Sequence, residues 1–231
     1  MKKQIQKLLS LTVISGLLTL FFGFGSIVAS PTTQFGQTIN SGTLATDMRD
    51  ASRVTIASPS ITMSAAAFSF DCQTGGSAST GTFGSNSQRI YVDNPSAANN
   101  GWTLTLAATS GATTTWTDGS KILDFNDPTG STAGCDDGVD TDTAKGQMTV
   151  DASVATLTAD CTTCSTANIT KGSSTAFSEG VTNTITLLNA AAASDNVGRW
   201  YLTGVSISQT IPAEQEAGNY TINMTLTATA S

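Results

Sequence analysis

Oxygen-bearing side chains are concentrated in one stretch, Asp118–Asp142, which we call the acidic segment. Seven of the chain's 17 acidic residues fall in these 25 positions, together with a single base, Lys121. Calcium binds six to eight oxygens in a flexible loop that uses glycine at its sharp turns. The composition therefore predicts a calcium site, with the candidate ligands Asp124, Asn126, Asp127, Asp136, Asp137, Asp140 and Asp142.

A second interpretation of the acidic segment stays open, namely an exposed loop whose carboxylates are simply hydrated. Clustered carboxylates repel one another unless they face water or a cation neutralises them. The ligand spacing of an EF-hand is absent, so the pattern alone does not choose between these interpretations. Zinc is disfavoured because the chain has no histidine and the segment holds one cysteine.

Four cysteines, Cys72, Cys135, Cys161 and Cys164, are the disulfide candidates. All four follow an N-terminal export signal, and in an oxidising compartment they are expected to pair. Four cysteines allow three connectivities, which the sequence does not distinguish. Cys161 and Cys164 have the CxxC spacing of redox and zinc motifs. No second such pair exists, so a structural disulfide is favoured.

The residue types of this chain give little support for a catalytic function. Without histidine the chain lacks the commonest general base and the usual activator of serine or cysteine nucleophiles. Paired carboxylates can hydrolyse glycosides, but these acids lie in one local segment with no sign of two facing each other. We therefore predict that the protein is not an enzyme.

The N-terminus reads as a secretion signal, predicted as residues 1–29. Three lysines precede an uncharged apolar run that ends at Val28-Ala29-Ser30. Left uncut, the run is long enough to span a bilayer, which is the only membrane association we expect. The remaining chain, 30–231, carries seven bases against 17 acids, a net charge of −10. This charge excludes nucleic acid as a partner.

Short alternating runs predict an all-β fold. Trp102–Ala107 places its large apolar residues on one face and its threonines on the other, and Arg89–Asp93 also reads as a strand. Further runs are Ile61–Phe70, Trp200–Gln209 and Tyr220–Thr227. About ten to twelve short strands without a convincing helix predict one antiparallel β-sandwich or jelly roll over 30–231, with the acidic segment as a long inserted loop.

Gly101-Trp102-Thr103-Leu104 resembles the first motif of the WxL surface domain of Gram-positive bacteria. The chain end from Ala217 to Thr227 is similar to that family's closing segment, although Met224 stands where the second motif has tryptophan. The resemblance implies an exported protein held non-covalently at the cell wall, often together with other surface proteins. Trp102 and Leu104 are the residues carried over from the family motif.

The leading hypothesis is thus a secreted, non-catalytic protein of the bacterial cell surface, structural or binding in role. Its expected partners are a cell-wall polymer or other surface proteins. One alternative is a calcium-dependent carbohydrate-binding or adhesive module, marked by an exposed aromatic such as Trp116 or Tyr201. The other is a subunit of a surface fibre that assembles by strand addition at an open sheet edge.

Overall fold

The computed structural model describes residues 36–96, 100–129, 132–138, 142–192 and 197–231. The chain separates into two compact units, 1–39 and 40–231. The predicted secretion signal lies outside the described residues. Among those residues, no helix is both long and apolar enough to cross a membrane.

The described residues form fourteen strands, more than the ten to twelve predicted, and one short 3-10 helix at Gly75–Ser77. Threonine- and valine-rich runs bounded by glycine and asparagine turns produce this many short strands. The strands are β1 Ala45–Arg49, β2 Ser79–Phe83, β3 Arg89–Asn94, β4 Trp102–Ala108, β5 Trp116–Asp118, β6 Lys121–Leu123, β7 Met148–Asp151, β8 Thr156–Ala159, β9 Ile169–Lys171, β10 Ser174–Ala176, β11 Thr184–Ala190, β12 Gly198–Thr203, β13 Val205–Gln209 and β14 Met224–Ala230.

All strand pairs are antiparallel, and the predicted all-β sandwich class is confirmed. Three sheets have four strands each, in the orders β1-β3-β12-β8, β10-β7-β13-β2 and β14-β4-β11-β9. A two-stranded hairpin, β5-β6, opens the acidic segment. Partners such as β3 and β12 are about a hundred residues apart in sequence, so long-range pairing dominates the fold.

All three sheets contribute to one hydrophobic core. Val92 and Trp200 enter it from the first sheet, Val150 from the second, and Trp102 and Leu188 from the third. Each of these five side chains is fully buried. Alternation puts every second residue of a strand on the inner face, which leaves the intervening residues to form outer faces.

Three of the predicted strands differ in the structure. Tyr220–Thr227 becomes a strand only from Met224 onward, and before it Thr221 forms just an isolated bridge to Thr117. Ile61–Phe70 forms no strand, since its backbone joins the edge of β2 only through Ser64, whose N–H donates to the Thr80 carbonyl. Trp200–Gln209 is divided by Gly204, whose φ of +80° turns the chain between β12 and β13. Glycine reaches that conformation at little steric cost, so one alternating run supplies strands to two sheets.

Candidate functional site

The acidic segment is partly buried rather than a fully solvated loop. After the β5-β6 hairpin, the chain buries Asp124, Asn126 and Asp127, which are exposed by only 2%, 1% and 2%. Phe125 lies between them and packs against Phe177, with ring centroids 5.1 Å apart. The aromatic anchor therefore carries its polar neighbours into the protein.

The buried polar side chains bond to backbone. The Asp124 carboxylate accepts from the Phe125 N–H at 2.6 Å, and the Asp127 carboxylate accepts from the Thr129 N–H at 3.0 Å. The Asn126 amide donates to the Ala112 carbonyl at 2.9 Å. Such bonds shape the local turns and offset the desolvation of the polar groups.

The other predicted ligands in the described chain are more exposed to solvent than this buried group. Asp136 and Asp137 are exposed, and the Asp142 carboxylate accepts from the Ala144 N–H at 2.7 Å. Asp140 lies outside the described residues. Within the described ranges, no three acidic or cysteine side chains are grouped closely enough to hold a metal ion. The calcium site stays a prediction.

The cysteine prediction is confirmed, because all four are paired and none is free. Cys72 bonds to Cys135 across 63 residues, which tethers the acidic segment to the chain before β2. Cys161 bonds to Cys164 within one short loop. The Cys164 sulfur accepts from the Arg199 N–H at 3.2 Å, so this loop packs against the start of β12.

Trp102 and Leu104, the residues of the family motif, both point into the core and have no exposed surface. The Trp102 indole packs against that of Trp200, with centroids 5.5 Å apart. In this fold the motif residues stabilise the packing of two sheets rather than present a surface to a partner.

The outer face of the sheet β1-β3-β12-β8 carries the most distinctive group of exposed and half-buried side chains. Strand pairing arranges them in three rows that cross the sheet. One row is Ala45, Asp93, Arg199 and Asp160; the next is Asp47, Tyr91, Tyr201 and Thr158; the third is Arg49, Arg89, Thr203 and Thr156. We call this the arginine–tyrosine face.

All four arginines of the chain belong to this face or cover it, as do two of its three tyrosines. Arg49 pairs with Asp47 at 2.8 Å and with Asp93 at 2.7 Å, and Arg199 pairs with Asp93 at 2.6 Å. Arg53, in the loop after β1, reaches Asp160 at 2.7 Å. These pairs hold β1, β3 and β12 together on their outer side.

Arg89 differs from the other three arginines, since it forms no ion pair with any described residue. Its guanidinium carbon lies 4.5 Å from the centroid of the Tyr201 ring. Tyr201 is half-buried and packs against the buried Tyr91, with centroids 5.5 Å apart. The face thus combines an aromatic ring, a cation without a carboxylate partner, and flanking threonine hydroxyls.

Three members of these ion pairs, Asp160, Arg53 and Arg49, have shifted pKa values. The hydrogen bond from Arg53 holds the pKa of Asp160 below its usual value, against the opposing effect of burial. The same bond raises the pKa of Arg53. Burial acts to lower the pKa of Arg49, but its hydrogen bonds to Asp93 and Asp47 outweigh this, and the pKa is raised.

The sequence predicted strands at Arg89–Asp93 and Trp200–Gln209, which contribute β3 and β12 to this face, but not the face itself. The signal was present in two alternating runs, since Arg89, Tyr91 and Asp93 occupy every second position of one strand, and Arg199 and Tyr201 those of another. What the sequence lacked was the pairing of these runs across about a hundred residues. Trp116 and Tyr201, the candidate exposed aromatics, are both half-buried, and Trp116 donates its indole N–H to Gln209.

No family model, curated protein or solved structure matches this chain.

Proposed function

We propose that the protein is an exported, non-catalytic binding protein of the bacterial cell envelope that holds an acidic wall polysaccharide against the arginine–tyrosine face. The observation that carries the proposal is that all four arginines lie on or cover one sheet face of an otherwise acidic chain. The N-terminal lysine-rich signal, the two disulfides and the resemblance to the WxL domain all support a surface location.

The chemistry of the face suits an acidic sugar polymer. Aromatic rings pack against the apolar faces of sugars, and Tyr201 offers a half-buried ring on a flat sheet. Arg89 is the arginine without an acidic partner in the described chain, so it can pair with a carboxylate or phosphate of the ligand in bidentate fashion. Thr156 and Thr158 add hydroxyls that donate and accept hydrogen bonds.

Co-sedimentation of the purified mature protein with isolated cell walls tests the proposal. We expect Arg89→Ala and Tyr201→Ala each to weaken binding by about tenfold, which corresponds to about 1.4 kcal/mol. Lys145→Ala removes the same charge outside the face and serves as the matched control. Binding should also weaken with added salt, because it depends on exposed charges.

Wall binding that is equal for wild type, Arg89→Ala and Tyr201→Ala would exclude this face as the binding surface. Circular dichroism of each variant distinguishes a lost contact from a lost fold. Walls stripped of their acidic polymers should retain little protein if the ligand is acidic. Full retention on stripped walls would instead indicate peptidoglycan or a protein partner.

A further inference from the structure

A cavity of about 520 Å³ lies among strands of all three four-stranded sheets. Two irregular stretches, 59–63 and 220–223, form its outer walls. Its floor consists of core side chains, among them Leu106 of β4, Met148 of β7 and Ile207 of β13. Its volume lies within the range of pockets that enclose small organic ligands, about 300–1,000 Å³.

Methionine is the distinguishing residue of the lining. The chain has five methionines, and all four after Met1 line this one cavity: Met48, Met63, Met148 and Met224. They come from four separate parts of the chain, so it is the fold that brings them to one cavity. Methionine is unbranched, flexible and polarisable, which lets a lining adjust to the shape of an apolar ligand.

The charges in the lining restrict the ligand further. Asp47 is the one acidic residue that borders the cavity, and it belongs to the outer face of β1, where it pairs with Arg49 at 2.8 Å. Among the described residues no lysine or arginine lines the cavity. A ligand carboxylate would therefore lose its hydration there without meeting a cation. Ser60 and Asn223, both exposed, offer neutral hydrogen-bonding groups at the outer walls.

The half-buried Trp116 adds an aromatic wall whose polar group is already satisfied, since the indole N–H donates to the Gln209 side chain at 3.0 Å. Its ring therefore contributes apolar surface without demanding a polar partner from the ligand. Water in such a lining finds few hydrogen-bonding groups, so an apolar ligand gains free energy by displacing it.

We infer that this cavity binds the hydrocarbon chain of a neutral amphiphile, with the polar end of the ligand at Ser60 and Asn223. The flexible methionine lining favours a linear chain over a rigid ring system. Because no cation lines the cavity, the desolvation of a fatty-acid carboxylate would not be offset, and an alcohol is favoured. The inference is independent of polysaccharide binding: Asp47 borders both surfaces, but the proposed polysaccharide contacts, Arg89, Tyr201, Thr156 and Thr158, do not line the cavity.

Titration of the mature protein with 1-decanol, below its solubility limit, and with decanoate, below its micelle-forming concentration, tests the inference at neutral pH. Binding is measured by calorimetry and by the fluorescence of Trp116, which lines the cavity, whereas Trp102 and Trp200 are fully buried in the core. We expect saturable binding of decanol, at least about tenfold tighter than decanoate, because no cation in the lining offsets the desolvation of the carboxylate. In Trp116→Phe the fluorescence change should vanish while calorimetric binding remains.

A substitution that fills the cavity provides a second test of the inference. Met63 is half-buried on an irregular wall, so Met63→Trp should abolish decanol binding without disrupting a strand, whereas Met63→Leu conserves volume and should retain it. Val181→Trp, at a position 83% exposed and outside the lining, is the matched control. No saturable decanol binding to wild type, decanoate binding as tight as decanol, or unchanged binding to a folded Met63→Trp protein would each overturn the inference.

Discussion

Trp102 of β4 and Trp200 of β12 pack their indole rings against each other in the interior, with centroids 5.5 Å apart, an interplanar angle of 41° and no exposed surface on either residue. They belong to different sheets, so their contact joins the sheet β14-β4-β11-β9 to the sheet β1-β3-β12-β8. The Trp200 indole N–H also donates to the Ser165 carbonyl at 2.9 Å, which fixes the ring's orientation. The pair is the central link between the two layers.

Trp102→Ala should therefore lower the free energy of unfolding by about 3–5 kcal/mol, the cost of deleting a large buried aromatic side chain. Urea denaturation monitored by circular dichroism measures it. Trp116→Ala, at a half-buried position, should cost clearly less. If Trp102→Ala left stability unchanged but abolished wall binding, Trp102 would be a partner-contacting residue, as the resemblance to the WxL motif allows.

The two disulfides should contribute unequally to stability. Because chain-entropy stabilisation grows with the length of the closed loop, replacing Cys72 and Cys135 by alanine should cost about 4 kcal/mol, against about 2 kcal/mol for Cys161 and Cys164. Thermal and urea unfolding of the two double variants would measure these costs. Equal losses would contradict the loop-length argument.

The acidic segment offers a test that separates a structural role from calcium binding. Asp124→Ala removes a buried carboxylate that accepts the Phe125 N–H, and should destabilise the fold by about 1–3 kcal/mol with or without chelator. If a calcium site exists, millimolar calcium should raise the melting temperature of wild type. Replacing the exposed Asp136 and Asp137 by asparagine should then abolish that rise.

A melting temperature that calcium does not change would remove the calcium-dependent adhesion hypothesis. Magnesium is the appropriate control cation, because it demands a tighter octahedral shell and should stabilise such a site less.

The Arg53–Asp160 pair predicts a pH dependence of stability. Asp160 has a lowered pKa in the folded protein, so its stabilising contribution is fully present above its usual pKa of 3.8. That contribution is lost as the pH falls through the lower folded value. The stability difference between wild type and Asp160→Asn should therefore be constant near neutral pH and shrink in acid. Asp71→Asn, an exposed site with no ion pair in the described chain, should show no such difference.

A constant difference down to the acid limit would mean that Asp160 contributes through its shape or backbone contacts rather than its charge. Added salt provides an independent check, because the partly exposed pair should be screened.

The alternation of single strands was predictable, and their partners were not. Trp102–Ala107 and Arg89–Asp93 correspond closely to β4 and β3 because each buries one face, which period-two patterning reports directly. Ile61–Phe70 was also predicted as a strand but forms none. It contains three alanines, which are depleted in strands, and its backbone joins β2 only at Ser64.

Both candidate sites depend on contacts between residues that are far apart in the sequence, which local sequence patterns do not predict. Tyr91 and Tyr201 are adjacent only because β3 pairs with β12, and Met48 and Met224 share a cavity only because β1 and β14 lie close together. For the acidic segment, the sequence showed the local feature but not its environment in the fold. Its charge density was evident in the sequence, but the burial of Asp124 and Asp127 follows from the packing of Phe125, which composition does not reveal.

The pairing of β11 with β4 shifts register between Thr186 and Leu188. Ile185, Leu187, Leu188 and Ala190 are all buried, so the strand would alternate regularly if Leu187 were absent. The backbone of this irregular part of β11 also lies close to Gly172, where a β-carbon would collide with the Thr186 carbonyl oxygen. The extra residue and the glycine are therefore structurally coupled, and Gly172→Ala requires the bulge to move.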